Sequence, residues 1–549
     1  MGKEVWEKAY ALLEAYREGK LSRRHVLSGL VRLGLGTVAA QRFLEVWAQG
    51  KLLPSAPEAP YEAPVTPERV AFLRKKPYQG VTINILILKA TVGDAVKYMA
   101  PLWEKETGGK VNLAEVPIET LYQQIFTDLT TGIRRYDAYM TGAWFYGDFF
   151  TTDPPYINPI DDFLKDPRYP YWDPKEMLPP MRELYTWKGQ TYGTLFDADS
   201  QVLYFREDIL TNKDYQRRFK EKMGYDLPVP PRTMKEMHDI ADFFTGWDWN
   251  GDGQPDWGIA LHAKVNEQGF FHFLTLAAPY VISKDNPRVF WFNPDTMEPL
   301  INSDGHVRAL EEYALFMRNG PRDMLGWTLG EGWNLFLSGR SVMEPTWGDL
   351  PTLAQDPKAS KVKGKVGAAP IPGTTEAYDP LAKAWRKYSL NRVGNVNGGS
   401  WHMVISRFSK NKEATYDFLA FMANRKNYFF LITHGWTGVQ PGVKYAFFPP
   451  YGTGSVGEWE AQGWDQHDAI AFTRAYYENL TLPLQEPYLR IPGAAEYWRE
   501  LDVQVSNVLA GNKKAKQALD EVYAAWQKIT DRYGRDKQLK VYRASLGLK

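Results

Sequence analysis

The tightest grouping of oxygen donors in the chain is Asp248-Trp249-Asn250-Gly251-Asp252-Gly253-Gln254-Pro255-Asp256. Asp248, Asn250, Asp252 and Asp256 fall at positions one, three, five and nine, with glycine at six and Gln254 at seven. That is the spacing by which a short loop wraps calcium. Position twelve is Ile259 instead of a bidentate Glu, so a completing carboxylate must come from elsewhere. The expectation is a structural calcium that pins a turn, set against a plain Asp/Gly-rich surface turn that binds no ion. Other chemistry is scarcer. With no cysteine there is no thiolate zinc site, no Cys nucleophile, no disulfide and no lipid-modified N-terminal Cys. His262, His272 and His402 are scattered and lack ligand spacing, and no activated Ser or phosphate-cradling glycine loop is present. Asp197 and Asp199 could be cast as a glycosidase pair, which needs carboxylates about 5–9 Å apart. Two residues of one short segment are poorly placed to flank a bond from both sides.

Rings are the other resource. Aromatic residues make up 14% of the chain, with 20 Trp and 32 Tyr. Most must be core, but an aromatic-lined cleft is the usual way to hold flat, partly apolar ligand faces such as sugars. Lys+Arg (66) and Asp+Glu (65) nearly cancel, so nothing suggests a nucleic-acid partner.

The elements that must position these groups begin near Val81, in a chain whose 549 residues exceed what one core usually organises. Val81–Leu88 alternates and is β-branched, which predicts a strand. Gly93–Glu106 has helical spacing, with Ala95, Tyr98, Met99 and Leu102 on one face, and Gly108-Gly109 stops it. Lys110–Val116 returns to strand, Thr120–Thr131 is a second helix, and Tyr136–Met140 is a third strand. This β-α-β-α-β order implies a parallel sheet whose ligands lie beyond the strands' carboxyl ends. The loop after the third strand carries Trp144, Phe145, Tyr146 and Asp148, which makes Trp144 and Tyr146 candidate ligand contacts.

Before Val81 the chain reads differently. Ser22-Arg23-Arg24-His25-Val26-Leu27 precedes a modest apolar stretch and resembles a twin-arginine export signal. It departs in having Val26 for Phe and Ser28 for Lys. Residues 1–50 are thus expected to be an export or anchor region, and 51–80, rich in Pro and Ala, an extended tether. The expected location is periplasmic or extracellular.

Several stretches, in order, resemble the bacterial extracellular solute-binding proteins that serve sugar ABC transporters. They include PLWEKETGGKVNLAEVP, LYQQIFTDLTTGIRRYDAYMTG, ELYTWKGQTYGTLFDADSQVLYFREDIL, GRSVMEPTWGDL, KVGAAPIPGT, NVNGGSWHMVISRFSKNKEATYDFLAFM and PYLRIPGAAEYWRELDVQVSNVLAG, and the resemblance covers roughly residues 80–530. It implies an α/β fold of two lobes, each a doubly wound, mostly parallel sheet, closing like a jaw on a carbohydrate. Lobe one would be 81–199 plus 371–438, and lobe two 200–370 plus 439–549, with the first crossing near Leu195–Leu203. The resemblance places Asp197 and Asp199 at that crossing, Trp347 as a stacking ring with Asp349 beside it, and Gly398, Gly399 and Trp401 at a tight turn. Trp436, Tyr497 and Trp498 would close over the ligand, although Tyr497 and Trp498, adjacent on a helix, point apart. The implied partners are a sugar and the membrane permease subunits of an ABC transporter, with no cofactor for function and a monomer sufficing. The rival expectations are a secreted carbohydrate-active enzyme and a binding protein for a non-sugar ligand such as a polyamine.

Overall fold

The computed structural model describes residues 20–32, 65–395 and 400–548, together with Leu12 and Ala15. Most of the expected export region, the first part of the tether, and Gly398 and Gly399 lie outside the described residues. Arg23–Arg32 forms a helix (α1). Among the described residues no helix is long and apolar enough to cross a membrane.

The folded body starts earlier than the sequence suggests. Pro67–Arg74 is a helix (α2) capped by Thr66, whose side chain accepts the Arg69 N–H. It has no apolar face to betray it. It is held by charge: Arg69 is buried and reaches Asp417 at 2.5 Å, and Trp103 Nε1 donates to the same carboxylate at 2.9 Å. The tether expected over residues 51–80 therefore ends by Thr66.

Lobe one then builds a five-stranded sheet from β1 (Thr82–Leu88), β2 (Lys110–Val116), β3 (Ala138–Thr141), β4 (Ile157–Asn158) and a late strand, His402–Ser406. The order is β2-β1-β3, the late strand, then β4. β1 runs parallel to β2 and β3, whereas His402–Ser406 runs antiparallel to β3 and β4 because it enters from the other lobe. Between β1 and β2 lies α3 (Thr91–Thr107), closed by Gly108 in the left-handed conformation (φ 83°). Its buried face is Val92, Ala95, Val96, Met99, Ala100 and Trp103. Tyr98 and Leu102, expected on that face, are 42% and 43% exposed. Periodicity alone does not choose between two adjoining apolar stripes, and the one carrying Trp103 is buried. α4 (Ile118–Thr130) follows β2.

Lobe two has a four-stranded sheet of β5 (Gln201–Arg206), β6 (Trp257–Ile259), β7 (Ser341–Trp347) and β8 (Val366–Ala369), ordered β8-β5-β7-β6. Only β6 and β7 pair in parallel; β5 is antiparallel to both neighbours. The two-lobed α/β fold is as expected, but the sheets are mixed rather than mostly parallel. Against sheet two packs α7 (Gln466–Thr481), while α5 (Gly269–Val281), α6 (Asp304–Phe316) and α8 (Ala494–Leu509) pack on one another. The hairpin β9 (Thr374–Asp379) and β10 (Ala384–Asn391) also belongs here. Asn391 Nδ2 donates to the carbonyls of Pro279 and Ile282 at the end of α5. Residues 374–391 thus sit on lobe two instead of opening the second part of lobe one, and the chain returns to sheet one only at Trp401–His402.

The buried Arg69–Asp417 pair makes a direct prediction. Asp417→Ala leaves the buried Arg69 guanidinium with the partly exposed Glu106, at 3.0 Å, as its carboxylate and unpartners Trp103 Nε1, so the free energy of unfolding should fall by about 3 kcal/mol in a urea titration. A loss well under about 1 kcal/mol would mean that α2 does not dock on lobe one in solution.

Candidate functional site

Three chain segments pass between the lobes, and they meet at Asp197. Its N–H donates to the Trp401 carbonyl at 3.0 Å. Its Oδ1 accepts the Gln440 N–H at 3.1 Å. One residue thereby joins all three crossings, through its backbone N–H to one and its carboxylate to another. Its other oxygen, Oδ2, is buried and meets no donor among the described residues. Register explains why two more carboxylates arrive nearby. Gln201 of β5 pairs with Trp347 of β7 in antiparallel fashion. Asp199, two residues before Gln201, and Asp349, two residues after Trp347, therefore leave the same end of sheet two. Burial, then the charges of Asp199 and Asp349, hold the Asp197 carboxyl well above its usual range. Burial pushes Asp349 up to about 7.

These acids line one chamber of about 200 Å³ with Trp347, Trp401, Phe271, Gln268 and Lys89. A second chamber of about 170 Å³ adjoins it, sharing Glu119, Glu267, Phe271 and Trp401 and adding Trp144, Phe270 and Trp498. The rings meet across the lobe boundary. Trp144 of lobe one lies 5.2 Å from Trp401 and 5.0 Å from Trp498, which α8 brings from lobe two. Phe271 stands edge-on to Trp347 at 5.6 Å and to Trp498 at 5.8 Å. Trp347 Nε1 donates to Gln268 Oε1 at 2.9 Å, which fixes the indole plane. Such an arrangement can stack a flat ligand and accept its hydroxyl protons. Among the described residues no nucleophile stands beside a base, and Asp197 and Asp199 approach from one segment.

The same boundary carries a latch. Asp148, raised to about 7 mainly by burial, accepts the Gly493 N–H just before α8 at 3.1 and 3.2 Å. Gly147 lies so close that a Cβ there would fall 2.2 Å from the Ile491 carbonyl carbon.

Of the residues singled out from sequence, Trp144, Asp197, Asp199, Trp347, Asp349, Trp401 and Trp498 converge on this cleft. Three do not. Tyr146 is fully buried inside lobe one, its Oη 2.9 Å from His402 Nε2. Tyr497 is fully buried within lobe two, its Oη 2.9 Å from Thr530 Oγ1; of the adjacent pair it is Trp498 that turns to the cleft. Trp436 is 41% exposed, packed on Tyr98 and Phe430 at the outer surface of lobe one. Sequence reasoning missed Glu267, Gln268, Phe270 and Phe271. The run GFFHFLTLAAPYV is apolar all round and reads as a buried helix. Its polar N-terminal residues, Glu267 and Gln268, were the available signal, because that end of a buried helix must open onto something polar.

The loop 248–256 spends its oxygens internally. Asp248 accepts the N–H groups of Gly251, Asp252 and Gly253. Asp256, wholly buried, accepts those of Trp249 and Asn250. Arg340 brings a guanidinium to 3.5 Å from Asp256 and 3.8 Å from Asp252. Ile259, where a bidentate Glu would stand, is fully buried in β6. A second acidic group, Asp465, His467 and Asp468, is similarly committed: Asp468 accepts from Gln355 and from the amides of Gly364 and Val366.

Two lobes, three crossings and a ring-lined cleft between them define a hinged solute-binding protein. The chain belongs to the family of bacterial extracellular solute-binding proteins, whose pattern matches residues 98–446. It is 23% identical over 366 residues to a probable ABC transporter-binding protein of Deinococcus radiodurans, covering 64% of this chain and 74% of that one. An ABC transporter solute-binding protein of Agrobacterium radiobacter K84, solved with ribitol, superposes with a TM-score of 0.63 at 21% identity, covering 82% of this chain and 99% of that one. The maltose-bound MalE3 of T. maritima superposes at 0.57 with 17% identity, covering 82% and 100%. These solved structures share the two-lobed fold.

The raised Asp349 predicts a pH signature. Its folded pKa of about 7 lies above the ordinary 3.8, so between these values the native state holds a proton that the unfolded chain lacks. The contribution of Asp349 to stability is therefore highest below about pH 4, falls as pH rises to about 7, and stays reduced above. Asp349→Asn removes the ionisable group. The variant should melt several degrees above the parent at pH 8 and close to it at pH 4. A variant that melts lower at both pH values would show that Asp349 stabilises the fold as a carboxylate.

Proposed function

We propose that this protein is the extracytoplasmic binding component of an ABC importer, capturing a carbohydrate or polyol between its lobes and presenting it to the membrane permease. The observation that carries the reading is the enclosed inter-lobe cleft, where rings from both lobes surround carboxylates held at the hinge. Its volume suits one or two sugar rings. Family relatives solved with ribitol, D-mannitol and maltose support a polyhydroxylated ligand. Closure on the ligand supplies the signal: a ligand that touches both lobes binds the closed state better and shifts the population toward it. One chain forms the whole jaw, so it acts as a monomer. Arg23 and Arg24 at the start of α1 support export by the twin-arginine route, to the periplasm or cell exterior. Loop 248–256 works as a structural turn with Arg340 as its cation, because its oxygens are already spent on amides and position twelve is a buried Ile.

The first test is a thermal-shift screen of the purified chain against mono- and oligosaccharides and polyols, since a ligand bound to the native state alone raises the melting temperature. One sugar should give a clear shift and be recovered unchanged; its steady consumption would mean an enzyme. In calorimetry with that sugar, Trp347→Ala should weaken binding at least about tenfold, the loss of a stacked, desolvated ring, with the protein still folded. Unchanged affinity would remove Trp347 from the site. Calcium and a chelator should both leave the melting temperature where it was, and a calcium-dependent rise would restore a metal to loop 248–256.

A further inference from the structure

The cleft differs in charge from the chain around it. Over the whole sequence 66 Lys and Arg balance 65 Asp and Glu. The two chambers, by contrast, are lined by Asp197, Asp199, Asp349, Glu119, Glu267 and Asp502 against Lys89 and Arg499 alone. That is six carboxylates to two cations. Three of the acids cluster at the hinge end, and there the crowding is least relieved. Asp197, which lines the chamber, is fully buried, and its Oδ2 has no donor among the described residues. Lys89, the one cation of that chamber, is exposed at the end of β1.

Burial and the neighbouring acids suppress the Asp197 charge in the empty site, and a cation brought to the carboxyl restores it. A neutral hydroxyl donates one hydrogen bond and brings no charge. An ammonium group donates three and cancels one of the crowded charges, and a hydrogen bond between two ionised groups is about twice as strong as a neutral one. The remaining walls are also those an organic cation prefers. Phe271, Trp347 and Trp401 line the same chamber, and aromatic faces attract cations within about 6 Å. A bare divalent metal would need roughly six to eight oxygens, which rings do not supply.

Building on the solute-capture function above, we infer that the ligand is a sugar or polyol carrying a protonated amine, with its ammonium group seated among Asp197, Asp199 and Asp349 and its hydroxylated body lying along the rings toward Trp144 and Trp498. Asp197 accepts from the ammonium through Oδ2 while Oδ1 stays on Gln440, so the bound cation is tied directly to the hinge.

Matched probes test this at pH 8 by calorimetry on the full chain: D-sorbitol against D-glucamine, D-glucose against D-glucosamine, and putrescine as a cation without hydroxyls. The amine of each pair should bind at least about tenfold more tightly than its neutral twin, the scale of one charge-assisted bond in a dry site. Asp197→Asn should reduce that preference to within about twofold, the ratio within each pair being read whatever the variant's affinity for the neutral twin. Asp199→Asn serves as the second variant if the first fails to fold. Equal affinity within each pair, or tighter binding of the neutral member, overturns the inference and leaves sugar capture standing. Putrescine binding alone, with no sugar or aminosugar bound, upholds the cation seat and overturns the carbohydrate reading. Binding of none of the probes overturns both.

Discussion

The molecule depends on how three backbone crossings are held together by buried hydrogen bonds. Ser200 Oγ donates to the Asn395 carbonyl at 2.5 Å, and Asn395 clasps Gln201 twice, accepting its N–H at 2.9 Å and donating to its carbonyl at 2.8 Å. Asn479 of α7 donates to both Ser200 Oγ and the Asn395 carbonyl. Tyr476, one turn earlier, places its hydroxyl 3.1 Å from the carbonyls of Ala198 and Ser200. Tyr428 donates to the Gln440 carbonyl at 2.8 Å. Each of these groups is buried, and a buried polar group left unpaired costs about 1–3 kcal/mol. The crossings are thereby fixed against one another.

That node explains the position of the cleft. β5 begins at Gln201, inside the clasp, and its register with β7 delivers Asp199 and Asp349 to one point. Asp197 is placed by Trp401 and Gln440, the other two crossings. The acids are therefore fixed by the hinge, whereas the rings that enclose a ligand come from both lobes. Trp144 and Trp401 belong to lobe one, and Trp347, Phe271 and Trp498 to lobe two. A ligand bridging acids and rings touches the pivot and both jaws at once, which is the differential contact that a population shift requires.

What the sequence revealed follows from which forces leave a periodic trace. β2 is found over the residues expected, Lys110–Val116, because a short segment bounded by a Gly pair and a Pro leaves little choice. α2 was hidden because its anchor is one charge pair and not an apolar stripe. The buried face of α3 was misassigned because Tyr98 and Leu102 share the spacing of the true core residues. In the site, residues on crossings and strand ends were legible, since sharp turns and paired acids stand out from their surroundings. Tyr146 and Tyr497 were not separable from their neighbours Trp144 and Trp498. Which of two close rings faces the cleft depends on packing partners distant in sequence, His402 for one and Thr530 for the other. The residues opening α5 were missed because an apolar helix advertises its core and conceals its tip.

Two aspartates of equal burial show how structure and function divide here. Asp417 and Asp197 are both fully buried. Asp417 is provided for: Arg69, Trp103 and Tyr78 all approach its oxygens, and the result fastens α2 to lobe one. Asp197 is provided for on one oxygen only. Burial alone would favour replacing such a residue with an apolar one, since a half-satisfied buried carboxylate weakens the empty protein. Its place at the meeting of three crossings turns that cost into a response. On the proposed binding mode, a ligand that donates to Oδ2 removes that penalty, so the stability withheld from the empty state becomes affinity for the ligand. Stability forgone at a hinge is a common feature of sites that must change shape to work, and here it is confined to the lobe boundary, with Asp349 and Asp148 raised alongside Asp197.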